Sequence, residues 1–455
     1  MSSKLQNKFW LAYYAAVKEK IVRGPLGPND ILYVVTETFP GIPAGEVIPE
    51  GVTNRGIYQL GDSLLRPDSE TYNPLAADSY IQSLQRYLLN VDLGGSHSAA
   101  DKKRWADAVK ATDDADKRHR KLKKEALKDY AEDEDPNKGE FEEWAAVHAR
   151  SYIRARSEAA AASAAQDQLY RELKGPLADI YGLYKTKIDD ALTTTKKKGL
   201  NMPALNADTN LLEEYIDHQT KGEKIPEPED IYYVPFYSMD NYKATLDNWV
   251  ATYKTAKTDS ISISWATGET TSFQDFGHTS TYVGGYAWWP FLFCSSFESD
   301  ATTETFASQS DESEISIALT YKGMMQFPIA PGKSWDIPDV RRTFPHLLPG
   351  TPVELKTLAR PTTILCASGV GLEVKFSGSA KKDFEEKYRK TSEKRGGIRI
   401  FDFAIGLGAD ETQETSHQKM EHSYEYETGS LTVNPKDLLG TCTVLAILMH
   451  KLEVS

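Results

Sequence analysis

Cysteine is scarce: Cys294, Cys366 and Cys442 are the three in 455 residues, widely separated and without a CxxC spacing. That excludes a disulfide framework or a thiolate metal motif and fits buried thiols in a reducing compartment. Long apolar runs are missing as well. The longest, residues 286–294, contains Pro290 and is far too short for a membrane-spanning helix. Positive charge is in deficit, with 53 Lys and Arg against 66 Asp and Glu and a net charge of -13. Non-specific nucleic-acid binding draws its affinity from phosphate neutralisation, so no nucleic-acid partner is expected. At the amino terminus Phe9, Trp10, Tyr13, Tyr14, Ala16 and Val17 recur at helical spacing, and Lys8, Lys18, Glu19 and Lys20 interrupt any signal-peptide core. The expected location is cytoplasmic. Catalytic signatures are absent too. There is no GxSxG elbow, and Gly406-Leu407-Gly408 lacks the third glycine of a phosphate loop, because Glu411 stands in its place. The sequence therefore names no catalytic residue, no cofactor and no metal.

What is present is a polar, Ala-rich, heavily charged block at residues 98–195. It reads as two long helices folded back at 133–139, where Pro136 cannot continue a helix and Gly139 tolerates a left-handed turn. On the first arm Trp105, Ala108, Thr112, Ala115, His119, Leu122 and Ala126 recur at spacings of three and four. On the second, Trp144, His148, Ala155, Ala159, Ala162, Gln166, Leu169 and Leu173 make the matching stripe. Counting outward from the break sets Ala106, Ala108, Ala111 and Ala115 opposite residues 159–165, small side chains that let two backbones approach closely. At 1.5 Å per residue such an arm extends roughly 50 Å. With Thr112, His119, His148 and Gln166 in its seam, the hairpin should be only modestly stable alone.

Before this block, residues 1–75 read as a helix and then an ordered loop with a strand at 31–36, punctuated by Gly24-Pro25, Gly27-Pro28 and Pro40-Gly41. Residues 76–225 form the helical region. From Ile231 the pattern changes to short alternating or β-branched segments, among them 314–321, 371–376, 397–405, 424–432 and 442–451, with helices at 239–255 and 381–394. Residues 226–455 are thus expected to form a β-rich, sandwich-like domain, with the last segment, apolar on both faces, as a central strand. The fold class read from the sequence is α+β, a long antiparallel helical hairpin inserted before the β-rich carboxyl-terminal domain.

Four groups of side chains stand out. Lys117, Arg118, Arg120, Lys121, Lys123 and Lys124 suit acidic headgroups or a phosphate backbone, but Asp113, Asp114, Asp116, Glu140, Glu142 and Glu143 nearby favour a solvated face laced with ion pairs. His119 and His148 fall on the seam, one per arm, with no further ligands in the pattern, so packing outweighs metal binding. His417 and His422 with Glu414, Glu421, Glu425 and Glu427 lack the spacing of a metal motif. The tongue at 282–294 carries Trp288, Trp289, Phe291 and Phe293; it suits a bilayer interface, a sugar ring or a partner, with filling of the sheet core the favoured reading.

The order Ile315-Ser316-Ile317-Ala318-Leu319, Pro331-Gly332-Lys333-Ser334-Trp335, Gly396-Gly397-Ile398 through Gly408, and Leu431-Thr432-Val433-Asn434-Pro435 resembles a family of uncharacterised proteins of filamentous fungi. The likeness lies mainly in the carboxyl-terminal half; it implies a fungal source and brings neither an activity nor a site residue. In layout, long helices joined to a sheet-rich part with an aromatic tongue are similar to α-helical pore-forming toxins. The expected function is a non-enzymatic interaction protein that assembles with copies of itself through the hairpin. Its expected contact residues are Trp105, Trp144, His119, His148, Lys117, Arg118, Arg120 and Lys121, with Trp288, Trp289 and Phe291 as a second surface. The alternatives are membrane action through the tongue, and an enzyme or small-molecule binder with a pocket in the β-rich domain.

Overall fold

A computed structural model describes residues 4–22, 26–35, 42, 44–45, 48–64, 71–72, 78–92, 98–133, 141–173, 177–205, 231–263, 303–306, 314–393, 397–400, 403–406, 412–414, 419–435 and 442–452. The chain divides into two compact units. The first comprises residues 1–80, 189–336 and 357–452; the second comprises 81–188, 337–356 and 453–455.

The main strands of the first unit, in chain order, are β1 (Asp30–Val35), β2 (Thr71–Tyr72), β3 (Asp259–Ile263), β4 (Ile315–Tyr321), β5 (Gly323–Pro328) and β6 (Ala359–Ser368), followed by β7 (Gly371–Phe376), β8 (Thr412–Glu414), β9 (Lys419–Glu425), β10 (Ser430–Pro435) and β11 (Thr443–Lys451). One sheet has the order β5-β6-β11-β1-β2 and the other β8-β9-β10-β7-β4-β3. As the apolar pattern at 442–451 implies, β11 is the central strand of the first sheet, antiparallel to both neighbours, with Ile447 opposite Ile364 on one side and Tyr33 on the other. The second sheet alternates instead. Ile315, Ile317 and Leu319, Leu372, Val374 and Phe376, and Leu431 and Val433 are buried, while Ser316 and Lys375 face out. One apolar core takes these side chains together with Leu365 and Ala367 of β6, Leu445 and Ala446 of β11, and Tyr13 and Val17 of α1 (Lys4–Ile21). The two sheets therefore share one interior in a sandwich-like α+β arrangement.

Three local readings change. The segment expected as an ordered loop contains α2 (Glu50–Gly61), in which Val52, Gly56, Ile57 and Leu60 are buried. Its glycines are poor helix formers and mask the pattern. Packing requires them, since a Cβ would lie 2.6 Å from Ile42 at Gly56 and 2.4 Å from the Tyr237 ring at Gly61. The strand expected at 424–432 is a hairpin, β9 paired with β10, turned at Gly429, whose φ of 69° is left-handed. The strand expected at 397–405 is two short antiparallel strands, Gly397–Ile400 and Phe403–Gly406.

The second unit holds α3 (Tyr80–Leu89) from Ile81 on, α4 (Ala99–Glu132), α5 (Phe141–His148), α6 (Arg150–Leu173) and α7 (Ala178–Ala191) as far as Ile188. Ser98 caps α4 by accepting from the Asp101 N–H at 3.1 Å. Helices α4 and α6 form the antiparallel hairpin that the spacing predicts. Arg104 pairs with Glu172 and Arg118 with Glu158, both at 2.8 Å, and the Thr112 hydroxyl donates to the Ala162 carbonyl at 3.3 Å. That register sets Ala115 opposite the run at 159–165, whereas Ala106 and Ala111, expected to face it, are exposed. Between α5 and α6 the helical bonding continues through Ala149, whose N–H donates to the Ala145 carbonyl at 2.9 Å and whose carbonyl accepts from the Ile153 N–H at 3.1 Å. Trp144, Ala145, Ala149, Tyr152 and Ala155 are buried, whereas His148, expected in the seam, is exposed. Helix α3 runs along α4, with Arg120 donating to Gln82 at 3.4 Å and Arg86 3.9 Å from Asp113.

Candidate functional site

At the turn of the hairpin the structure gathers several of the expected contact residues into a separate cluster. Trp144, Ala145, Ala149, Tyr152 and Ala126 form its buried centre, with Tyr130 and Phe141 packed against them. Tyr130 meets Trp144 edge-on at 5.5 Å, and Phe141 lies 5.5 Å from Tyr152. The Trp144 indole N–H donates to Asp133 at 2.6 Å. His119 stacks on Tyr152 at 5.6 Å and His148 on Trp144 at 5.1 Å. The two imidazoles are therefore held by different rings, and among the described residues no group of three His, Cys, Asp or Glu side chains could hold a metal. The His119 Nε2 is shielded and has no hydrogen-bond partner. Burial, reinforced by Lys123, Arg156 and Arg120 and opposed by Asp116, holds its pKa below the ordinary 6.5.

Trp105 and Trp144, expected as contact residues, are both buried, and each indole N–H has an internal acceptor. Trp105 donates to the Val91 carbonyl at 3.3 Å and packs on Tyr170. It lies near the start of α4, away from the turn. The basic run faces partners along the helices, with Lys117 2.5 Å from Asp113, Arg118 on Glu158 and Lys121 3.9 Å from Glu125. The apolar surface offered at the turn is instead that of Val147 and Leu127, 64% and 43% exposed. Trp288, Trp289 and Phe291, like Cys294 and His417, lie outside the described residues.

A second feature of the same unit is a concavity of about 510 Å³ under the segment 337–356. This segment is pinned by backbone bonds from Asp92 N–H to His346 O, 2.9 Å, and from Leu348 N–H to Asn90 O, 2.8 Å. Arg341, His346, Lys356, Asp92 and Tyr87 line it. The Tyr87 phenol donates to the Phe344 carbonyl at 2.6 Å. These residues form no motif in the sequence, because three basic side chains spread over sixteen positions come together only when the backbone folds.

The first unit contains two buried polar groupings that the sequence did not reveal. Asp62 accepts from Tyr237 at 3.0 Å and from Ser79, while Asp336 accepts from Tyr80 at 2.9 Å and pairs with Arg360. Burial first, and the neighbouring carboxylates next, raise the pKa values of Tyr80 and Tyr237. Both phenols therefore stay protonated as donors, and the network ties α2 to the strands around it. Cys366 and Cys442, far apart in sequence, are brought together beside Tyr242, whose hydroxyl lies 3.1 Å from the Cys442 sulfur. Burial, then the Cys442 thiol, pushes the Cys366 thiol up, which favours its protonated form.

The chain matches no family model, no curated protein and no solved structure. Function has to be read from these sites alone. No described helix is long and apolar enough to cross a membrane.

Proposed function

We propose that the chain is a non-enzymatic interaction protein that assembles with copies of itself, with the turn of the α4–α6 hairpin as the docking surface. The observation that carries this reading is the aromatic cluster at that end of the hairpin, with Tyr130 and Phe141 only partly buried on it and Val147 and Leu127 exposed on the same helices. Rigid aromatic side chains beside exposed aliphatic ones are what interface anchors are made of, since little rotamer entropy is lost on contact. Charge supports a second copy as the occupant. Seven of the twelve residues 117–128 are basic and one is acidic, in a chain whose net charge is -13. A cationic arm on an acidic chain finds its complement on another copy of that chain.

Sedimentation equilibrium of the full chain from ~1 to ~100 µM tests this. Dimers or larger species are expected at low salt and dissociate at ~0.5 M salt, where screening is strong. Val147→Asp combined with Lys123→Glu and Lys124→Glu, all at exposed positions, should shift association at least about tenfold in concentration. A monomer at every concentration ends the reading.

A further inference from the structure

We propose that the concavity under the 337–356 segment binds a phosphate monoester of a small hydroxylated molecule. Its volume of about 510 Å³ is that of a small-molecule site, for which ~300–1,000 Å³ is usual. Arg341, His346 and Lys356 place a guanidinium, an imidazole and an ammonium around one hollow. The planar fork of arginine suits a phosphate's paired oxygens, and lysine adds a point charge for the second negative charge of the dianion. Asp92 is the acid on the wall, and a carboxylate there accepts from a ligand hydroxyl. Pro345, Leu347 and Pro349 supply apolar wall for the carbon skeleton.

The site is built before any ligand arrives. Tyr87 is fixed by its bond to Phe344, and Arg341 in turn donates to the Tyr87 phenol. The segment carrying Arg341 and His346 is held to residues 90–92 by two backbone bonds, so little ordering is left to binding. Partial burial makes the Arg341 charge costly and lowers its pKa, against the smaller opposing effect of Tyr87, and an anion beside it relieves that cost. Another hollow, about 550 Å³ on the outer face of the second sheet, offers Glu373, Glu425 and Lys375 among Ser and Thr and has no such excess of positive groups.

Calorimetric titration of the full chain with glucose 6-phosphate, inorganic phosphate and glucose tests the proposal. Vesicles of phosphatidylcholine containing phosphatidic acid distinguish a lipid headgroup from a free phosphomonoester. Glucose 6-phosphate is expected to bind more tightly than inorganic phosphate, with no saturable heat from glucose. Lys356→Glu and Arg341→Gln should each weaken glucose 6-phosphate about tenfold or more. Asp92→Asn should weaken glucose 6-phosphate and leave inorganic phosphate unchanged. Lys356 is exposed, so its variant reports on the site even where Arg341→Gln perturbs folding. The proposal is overturned by absence of saturable binding of glucose 6-phosphate, by equal binding to Lys356→Glu, or by capture on phosphatidic acid vesicles alone.

Discussion

In the first unit, Ile447 lies between Ile364 and Tyr33, and all three are fully buried. In the α4–α6 seam of the second unit, the interior positions are held by Thr112, Gln166 and a run of alanines, and Gln166 is 1% exposed with neither its amide oxygen nor its nitrogen bonded. An interior of large apolar side chains gains stability from buried area. A seam of small and polar ones gains close approach and a fixed register, since its neighbours must match both shape and hydrogen bonds. The sheets thus hold their fold by mass of core, and the hairpin holds its alignment by pairs such as Arg118–Glu158 and Arg104–Glu172.

The largest effect is expected from Ile447→Asp. An unpaired charge at the centre of the first sheet should cost several kcal/mol and abolish the cooperative near-ultraviolet transition of the first unit. The helical far-ultraviolet signal of the second unit should persist; its loss in the same step would mean that the two units are not separate. A smaller change of opposite sign is expected from Gln166→Leu. Removing a buried amide without partners should stabilise the hairpin by ~1–3 kcal/mol, read as a higher urea midpoint of the helical signal. Destabilisation instead would show that the amide is satisfied and that the contrast with the sheet core is false. The smallest effect concerns His119. Its folded pKa lies below that of the unfolded chain, so the unfolded state binds the proton more readily. Hairpin stability should be constant above pH ~6.5 and fall as pH drops through that value toward the folded pKa. His119→Phe, which keeps a ring against Tyr152, should flatten the urea midpoint between pH 7 and 5; an unchanged slope would show that His119 does not carry the effect.

The hairpin was legible because its signals are local. A period of three and four along each arm marks two helices without reference to the rest of the chain, while Pro136 and Gly139, expected to turn it, lie outside the described residues. Strand β11 was legible for a related reason, since burial on both faces leaves no polar alternation. Helix α2 was hidden because Gly56 and Gly61 answer to Ile42 and Tyr237, neighbours that only the fold supplies. The exact face of the second arm is less legible: Ala145, Ala149 and Tyr152 carry the buried side, and His148, one position away, lies on the surface. The concavity was the least readable of all. Tyr87 and Arg341 are 254 positions apart, and no local pattern relates a helix-face tyrosine to an arginine in a proline-rich connection.

That separation has a consequence for biosynthesis. Residues 81–188 leave the ribosome well before 337–356, and both belong to the second unit. At ~5–20 residues per second the intervening stretch takes roughly seven to thirty seconds to make. Throughout that interval the hairpin helices can form while the place of Phe344 against Tyr181 and Tyr184 stands empty. A nascent chain stalled before residue 337 should therefore expose those rings to proteases and chaperones, and closure of the second unit becomes a timed event of translation.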